Sequence, residues 1–120
     1  MANHTFLHVE IPALDLEASG KFYHDLFGWT VRQIPEMSYA TLHTGVDVPS
    51  GGLNPVSAES PVGRINVYIG TDDIQASARK VVELGGKLLT QPMPIPGVGL
   101  FAFFEDIAGN TLVFLEPHME

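Results

Sequence analysis

Residues 8–12 read HVEIP, and residues 66–70 read NVYIG. Both stretches begin polar–Val–polar–Ile. Sliding the chain by 58 positions, residue 8 onto residue 66, also lays Asp15-Leu16 on Asp73-Ile74 and Ala18-Ser19 on Ala76-Ser77. The same shift pairs Lys21 with Arg79, Leu26 with Leu84, Gly28 with Gly86 and Gln33 with Gln91, with no gap. Further on, YATL at 39–42 matches FAFF at 101–104. The offset there is 62 (101 minus 39), so the loop before that strand is longer in the second copy. Self-similarity on this scale marks a duplicated structural unit. It predicts one module over about residues 4–57 and a second over about 62–118.

Each copy carries the same local signals. In 8–11 and 66–69 the apolar residues alternate, which predicts a strand with one face on a core. Val9 and Ile11 take that face in copy one, Val67 and Ile69 in copy two. A helix follows. In copy two Asp72 is expected to open it, with Gln75 as capping-box partner. Ile74, Ala78, Val81 and Leu84 supply its apolar stripe, and Gly85-Gly86 end it. Leu16, Gly20, Tyr23 and Leu26 stand at the matching places in copy one. Gly20 costs about 1 kcal/mol in a helix relative to Ala, so a close approach of helix and sheet is expected there. Three strand signals follow each helix: WTVRQI, SYATLHT and a weak GGLNPV, then KLLTQ, LFAFFED and TLVFLE. The last two are expected to form a hairpin around Asp106–Asn110, with Gly109-Asn110 in the turn. The predicted class is α+β, built as two tandem βαβββ modules in one domain.

Composition narrows the partners. The chain has 120 residues, 45% of them hydrophobic, enough for a core of domain size. Lys+Arg is 6 against Asp+Glu 14, a net charge of -8. Such a surface repels phosphate backbones and anionic membranes, so neither nucleic acid nor membrane is an expected partner. No apolar run approaches a membrane span, and MANHTFLHVE has no basic region ahead of an apolar one, so no signal peptide is expected. The expected location is cytoplasmic. Cysteine is absent, which excludes disulfides, thiolate nucleophiles and cysteine metal sites. GVGLFA at 97–102 has the spacing of a dinucleotide loop, but an aromatic strand follows it rather than a helix.

A doubled βαβββ unit of this length resembles the vicinal oxygen chelate superfamily, whose members include glyoxalase I, bleomycin-resistance proteins, fosfomycin-resistance enzymes and extradiol dioxygenases. The carriers are HVEIPALDLEASGKFYHDLFGW, VYIGTDDIQASARKVVELGGK and FAFFEDIAGNTLVFLEP. The resemblance implies curved mixed sheets around a cleft, and a homodimer. It also implies up to four metal-ligand positions, one on the first and one on the last strand of each module. Carried over, these fall on His8, on Gly51 or Gly52, on Asn66 and on Val113. Only His8 is a strong ligand, so no cofactor is expected. A divalent metal would have to be held by His8 and Glu10 with a third group, His43 being nearest in sequence.

His8 and Glu10 stand two apart on a strand and therefore share a face. The candidate acid/base residues are Glu10 and His8. The candidate ligand-binding positions are His8, Glu10, Tyr39, Thr41, His43, Asn66, Tyr68 and Val113. The alternative is that they only fill space between sheets. Arg32 and Arg64 are candidates to bind a ligand carboxylate. The loop QPMPIPGVG at 91–99 reads as a lid or as a stiff connector. Three functions stay open. One is a glyoxalase-like enzyme or binder of a small oxygenated or carbonyl metabolite, without the usual metal. The second is a protein that sequesters a small toxic compound, and the third is a metal-dependent lyase or dioxygenase with a rearranged site. True glyoxalase I chemistry is disfavoured by Val113 and by the scarcity of basic residues.

Overall fold

The computed structural model describes residues 4–45 and 49–118. It divides into two compact units, residues 8–66 and residues 67 onward together with those before residue 8.

In the unit formed by residues 8–66, strand β1 (Phe6–Ala13) leads into helix α1 (Leu16–Phe27). Strands β2 (Thr30–Ile34), β3 (Tyr39–His43) and β4 (Gly51–Pro55) follow, with a single 3-10 turn, Pro35–Met37, between β2 and β3. The strand order is β2-β3-β4-β1. β1 runs parallel to β4, while β2–β3 and β3–β4 are antiparallel. A parallel return needs a crossover, and α1 supplies it. Asp15 caps this helix, accepting from the backbone N–H groups of Glu17 and Ala18 at 3.0 and 3.1 Å. Gly28, at φ 76°, closes it in the left-handed region. The core holds Ala13, Ala40, Leu42 and Leu53, with Ile11, Leu16, Tyr23, Trp29 and Val31 packed against them. At Gly20 a Cβ would sit 2.9 Å from Val31 Cγ1, so the expected close helix–sheet contact is present.

The second unit repeats this plan. Strand β5 (Asn66–Gly70) leads into helix α2 (Ile74–Glu83), then β6 (Lys87–Leu88), β7 (Met93–Ile95), β8 (Gly99–Glu105) and β9 (Thr111–Pro117). β5 runs parallel to β9, β9 is antiparallel to β8, and β6 and β7 both pair with β8. Its core gathers Ile74, Ala102, Phe104 and Phe114, with Phe104 stacked on Phe114 at 4.3 Å. The β8–β9 turn is the expected one. Asp106 Oδ1 accepts from Ala108 and Asn110 N–H, both at 2.9 Å, and Gly109 takes φ 96°. The mixed-sheet α+β class is therefore as expected, and the second unit adds one strand, β7, to the expected βαβββ plan.

Three local readings are corrected. The α2 cap is Asp73, not Asp72: Asp73 accepts from Ala76 N–H at 3.0 Å and is the counterpart of Asp15. Leu26 and Leu84, equivalent positions, leave the cores and are 57% and 69% exposed, beside exposed Phe22 and Phe27 on α1. Leu26 lies in the last turn of α1 and Leu84 is the C-cap of α2, so both stand at helix ends. Finally, residues 91–99, expected to be a loop joining two strands, contain a strand of their own. Met93–Ile95 pairs with Gly99–Phe101 as a hairpin. Among the described residues no helix is long and apolar enough to cross a membrane.

Leu53 is fully buried at the centre of the first core. Leu53→Ala should lower unfolding free energy by about 2–5 kcal/mol, read as a reduced urea midpoint at unchanged slope.

Candidate functional site

Strand alternation divides the first sheet into two faces. Ile11, Val31, Ala40, Leu42 and Leu53 face α1. Gln33 also points to the helix side, where its amide donates to Leu16 C=O at 3.0 Å. The opposite face therefore takes Thr30, Arg32, Tyr39, Thr41, His43, Gly52, His8 and Glu10. Sheet register lines them up. Arg32 is opposite Thr41, Thr41 opposite Gly52, and Glu10 opposite Gly52.

On this face three side chains meet. The Tyr39 hydroxyl donates to Glu10 Oε2 at 2.9 Å. It lies 2.7 Å from His8 Nε2. A phenol has one proton, already given to the carboxylate, so His8 carries its proton on Nε2 and donates to the phenol oxygen. Hydrogen bonds thus run His8 to Tyr39 to Glu10, joining residues far apart in sequence.

Gly52 makes this meeting possible. A Cβ there would lie 1.9 Å from the Tyr39 oxygen and 2.2 Å from the ring carbon that bears it. The phenol therefore occupies the volume that any side chain at residue 52 would need. Register also resolves the loose correspondence between the copies. Glu10 pairs with Gly52 as Tyr68 pairs with Val113, so the counterpart of Val113 is Gly52 rather than Gly51.

Half-burial sets the charge state of His8. Its pKa is lowered from 6.5, first by desolvation, with Glu10 opposing the shift. At neutral pH the imidazole is uncharged. Thr41 and His43 form a separate pair, Oγ1 to Nε2 at 3.3 Å.

The other candidate positions fall elsewhere. Tyr68, Val113 and Phe103 form one row across the second sheet, the counterpart of Glu10, Gly52 and Thr41. Val113 is 0% exposed, and Tyr68 is half-buried. Asn66 is buried, and its Oδ1 has no hydrogen-bond partner among the described residues. Trp29 turns to the helix side, stacked on Tyr23 at 5.5 Å. Sequence reasoning missed Gly52 as a functional residue; an alternating strand interrupted by Gly51-Gly52 was the available signal.

Of the four positions the resemblance points to, Gly52 and Val113 offer no donor and Asn66 a weak one. His8 Nε2 and Glu10 Oε2 both engage the Tyr39 hydroxyl. Among the described residues no three His, Asp or Glu side chains converge as a metal site. This donor set does not fit the family's metal.

Comparison with known proteins agrees with this architecture. A model of the bleomycin resistance protein-like N-terminal family matches residues 5–45, the stretch holding His8, Glu10, Tyr39, Thr41 and His43. The chain is 36% identical over 110 residues to a glyoxylase-like domain-containing protein of Didymella fabae, covering 86% of each chain. It is 32% identical over 111 residues to the anthracycline biosynthesis protein DnrV of Streptomyces peucetius, covering 79% of this chain but only 40% of that relative's length. Methylmalonyl-CoA epimerase from Mycobacterium tuberculosis shares the fold, with a TM-score of 0.66 at 18% identity over 98% of this chain and 91% of that one.

Two outcomes are expected here. The unfolded chain protonates His8 near pH 6.5, while the folded chain holds it neutral to lower pH. Its contribution is therefore complete above that pH and lost as pH falls below it. His8→Gln should flatten the decline of unfolding free energy between pH 7 and 5, measured by denaturant titration at each pH; an unchanged slope would contradict the assignment. Separately, Gly52→Ala should displace the phenol. The His8 ring resonances of that variant should then match those of Tyr39→Phe in NMR spectra.

Proposed function

We propose that this chain, which belongs to the glyoxalase-like, vicinal oxygen chelate superfamily, binds a small carbonyl metabolite on the face of its first sheet turned away from α1 and moves a proton there without a metal. The observation that carries this reading is the His8–Tyr39–Glu10 chain of hydrogen bonds, at 2.7 and 2.9 Å.

Each group has a role that follows from its chemistry. Glu10 is the base. Tyr39 holds one oxygen of its carboxylate in a fixed direction, which limits the orientations the base must sample. A C–H bond next to the ligand carbonyl breaks, its proton goes to Glu10, and the electron pair moves onto the carbonyl oxygen. Once protonated, Glu10 is a weaker acceptor, and the Tyr39 hydroxyl can turn its proton to the new oxyanion. Neutral His8 supports the phenol through Nε2–H. An imidazolium at that place would instead pair with Glu10 and weaken the base. Return of the proton from Glu10 completes the cycle, with no net oxidation or reduction.

A second reading is sequestration of a small compound without turnover. It is favoured by the match of residues 5–45 to the bleomycin resistance protein-like model. The two readings part at Glu10. Small carbonyl metabolites would be incubated with the protein in heavy water and followed by proton NMR. The expected result is catalysed exchange of the proton next to the carbonyl, lowered about 10²–10⁴-fold in Glu10→Gln, with ligand binding retained. Exchange that survives Glu10→Gln would refute the assigned base. Binding without exchange by the wild-type protein would favour sequestration.

A further inference from the structure

The same sheet face carries one guanidinium, and we propose that it selects the substrate class: Arg32 anchors the carboxylate of a short-chain oxo acid whose reacting carbon lies over Tyr39 and Glu10. This deepens the reading of Glu10 as base and rests on it.

Four observations point this way. First, the facing of Arg32 is fixed by its neighbours: Val31 packs on the α1 side, and Gln33 bonds Leu16 C=O there. Arg32 must project from the other face, the one that holds Glu10. Second, register places Arg32, Thr41, Gly52 and Glu10 in one row across β2, β3, β4 and β1. Three steps between adjacent strands give roughly 14 Å between the outer backbones. A ligand of a few carbons, laid across the Tyr39 ring that crosses Gly52, is of the length that would join the two ends of this row. Third, Arg32 is exposed, and no described residue pairs with it. By contrast Lys21, on the helix, is held by Asp25 at 2.6 Å. Fourth, the chain has only 6 Lys and Arg against 14 Asp and Glu. Arg32 is the sole Lys or Arg among the described residues of this face, so it is the local attractor for an anion.

The charge count favours a carboxylate over a phosphate. One guanidinium balances one negative charge, in a two-pronged geometry that a carboxylate matches. A phosphate dianion would carry a second charge toward Glu10 on a chain of net charge -8.

The test compares each acid with its own neutral ester. Pyruvate, 2-oxobutyrate and their methyl esters would be titrated into wild type, Arg32→Gln and Arg32→Lys, with binding read from protein chemical shifts and proton exchange read in heavy water. Arg32 is exposed on a strand, so both variants should fold. The acids should bind wild type about tenfold tighter than their esters. That preference should vanish in Arg32→Gln and return in part in Arg32→Lys. Added salt should weaken the acids alone. Equal binding of acids and esters, an acid preference that survives Arg32→Gln, or binding of neither would overturn the assignment. Esters that bind and exchange through Glu10 as fast as the acids would overturn the anchor while leaving the base intact. Acids that bind through Arg32 without exchange would overturn the base and leave the anchor.

Discussion

In each module the first strand lies parallel to the last, β1 against β4 and β5 against β9. The rest of the structure depends on this pairing. Parallel neighbours cannot be joined by a tight turn, so the chain must leave the sheet and return. The helix that makes the excursion covers one face and leaves the other uncovered within its module. Alternation along the strands then sends Ile11 and Ala13 to the helix and His8 and Glu10 away from it. Chemistry is assembled on the second face because packing has claimed the first.

On that face a missing side chain matters as much as those present. Residue 52 stands opposite both Glu10 and Thr41, at the middle of the sheet. Because it is glycine, the Tyr39 ring crosses over it and its hydroxyl bridges two groups from another strand. In the second module the counterpart is Val113, a fully buried apolar side chain between Tyr68 and Phe103. Duplication has kept the backbone plan while the two faces turned away from the helices diverged, one polar and one apolar.

Much of this was legible in the sequence, for a physical reason. Strand and helix periods are local, and the repeat states each of them twice, so the helix faces, the Gly20 contact and the Asp106–Asn110 turn could be read directly. The facing of His8 and Glu10 followed from a spacing of two. What failed to show was whatever depends on partners distant in the chain. Asp72 and Asp73 both suit a helix cap. A long-range bond marks the start of the helix: Glu116, on the far strand, accepts from Ile74 N–H at 2.8 Å. Prolines hid β7, because its pairing with β8 tolerates them at a sheet edge. The reach of Tyr39 over Gly52 depends on β3–β4 register, which no local pattern in the sequence encodes.

The exposed apolar side chains at the end of α1 bear on how the protein behaves in bulk. Phe22, Leu26 and Phe27 are each more than half exposed. A surface of this kind attracts its like in neighbouring molecules. With 14 acidic residues against 6 basic, net charge opposes that attraction at neutral pH. Acidification removes that net charge while leaving the aromatic surface in place. What opposes contact through that surface is charge rather than concealment, and the opposition is weakest near the sequence isoelectric point of about 4.9.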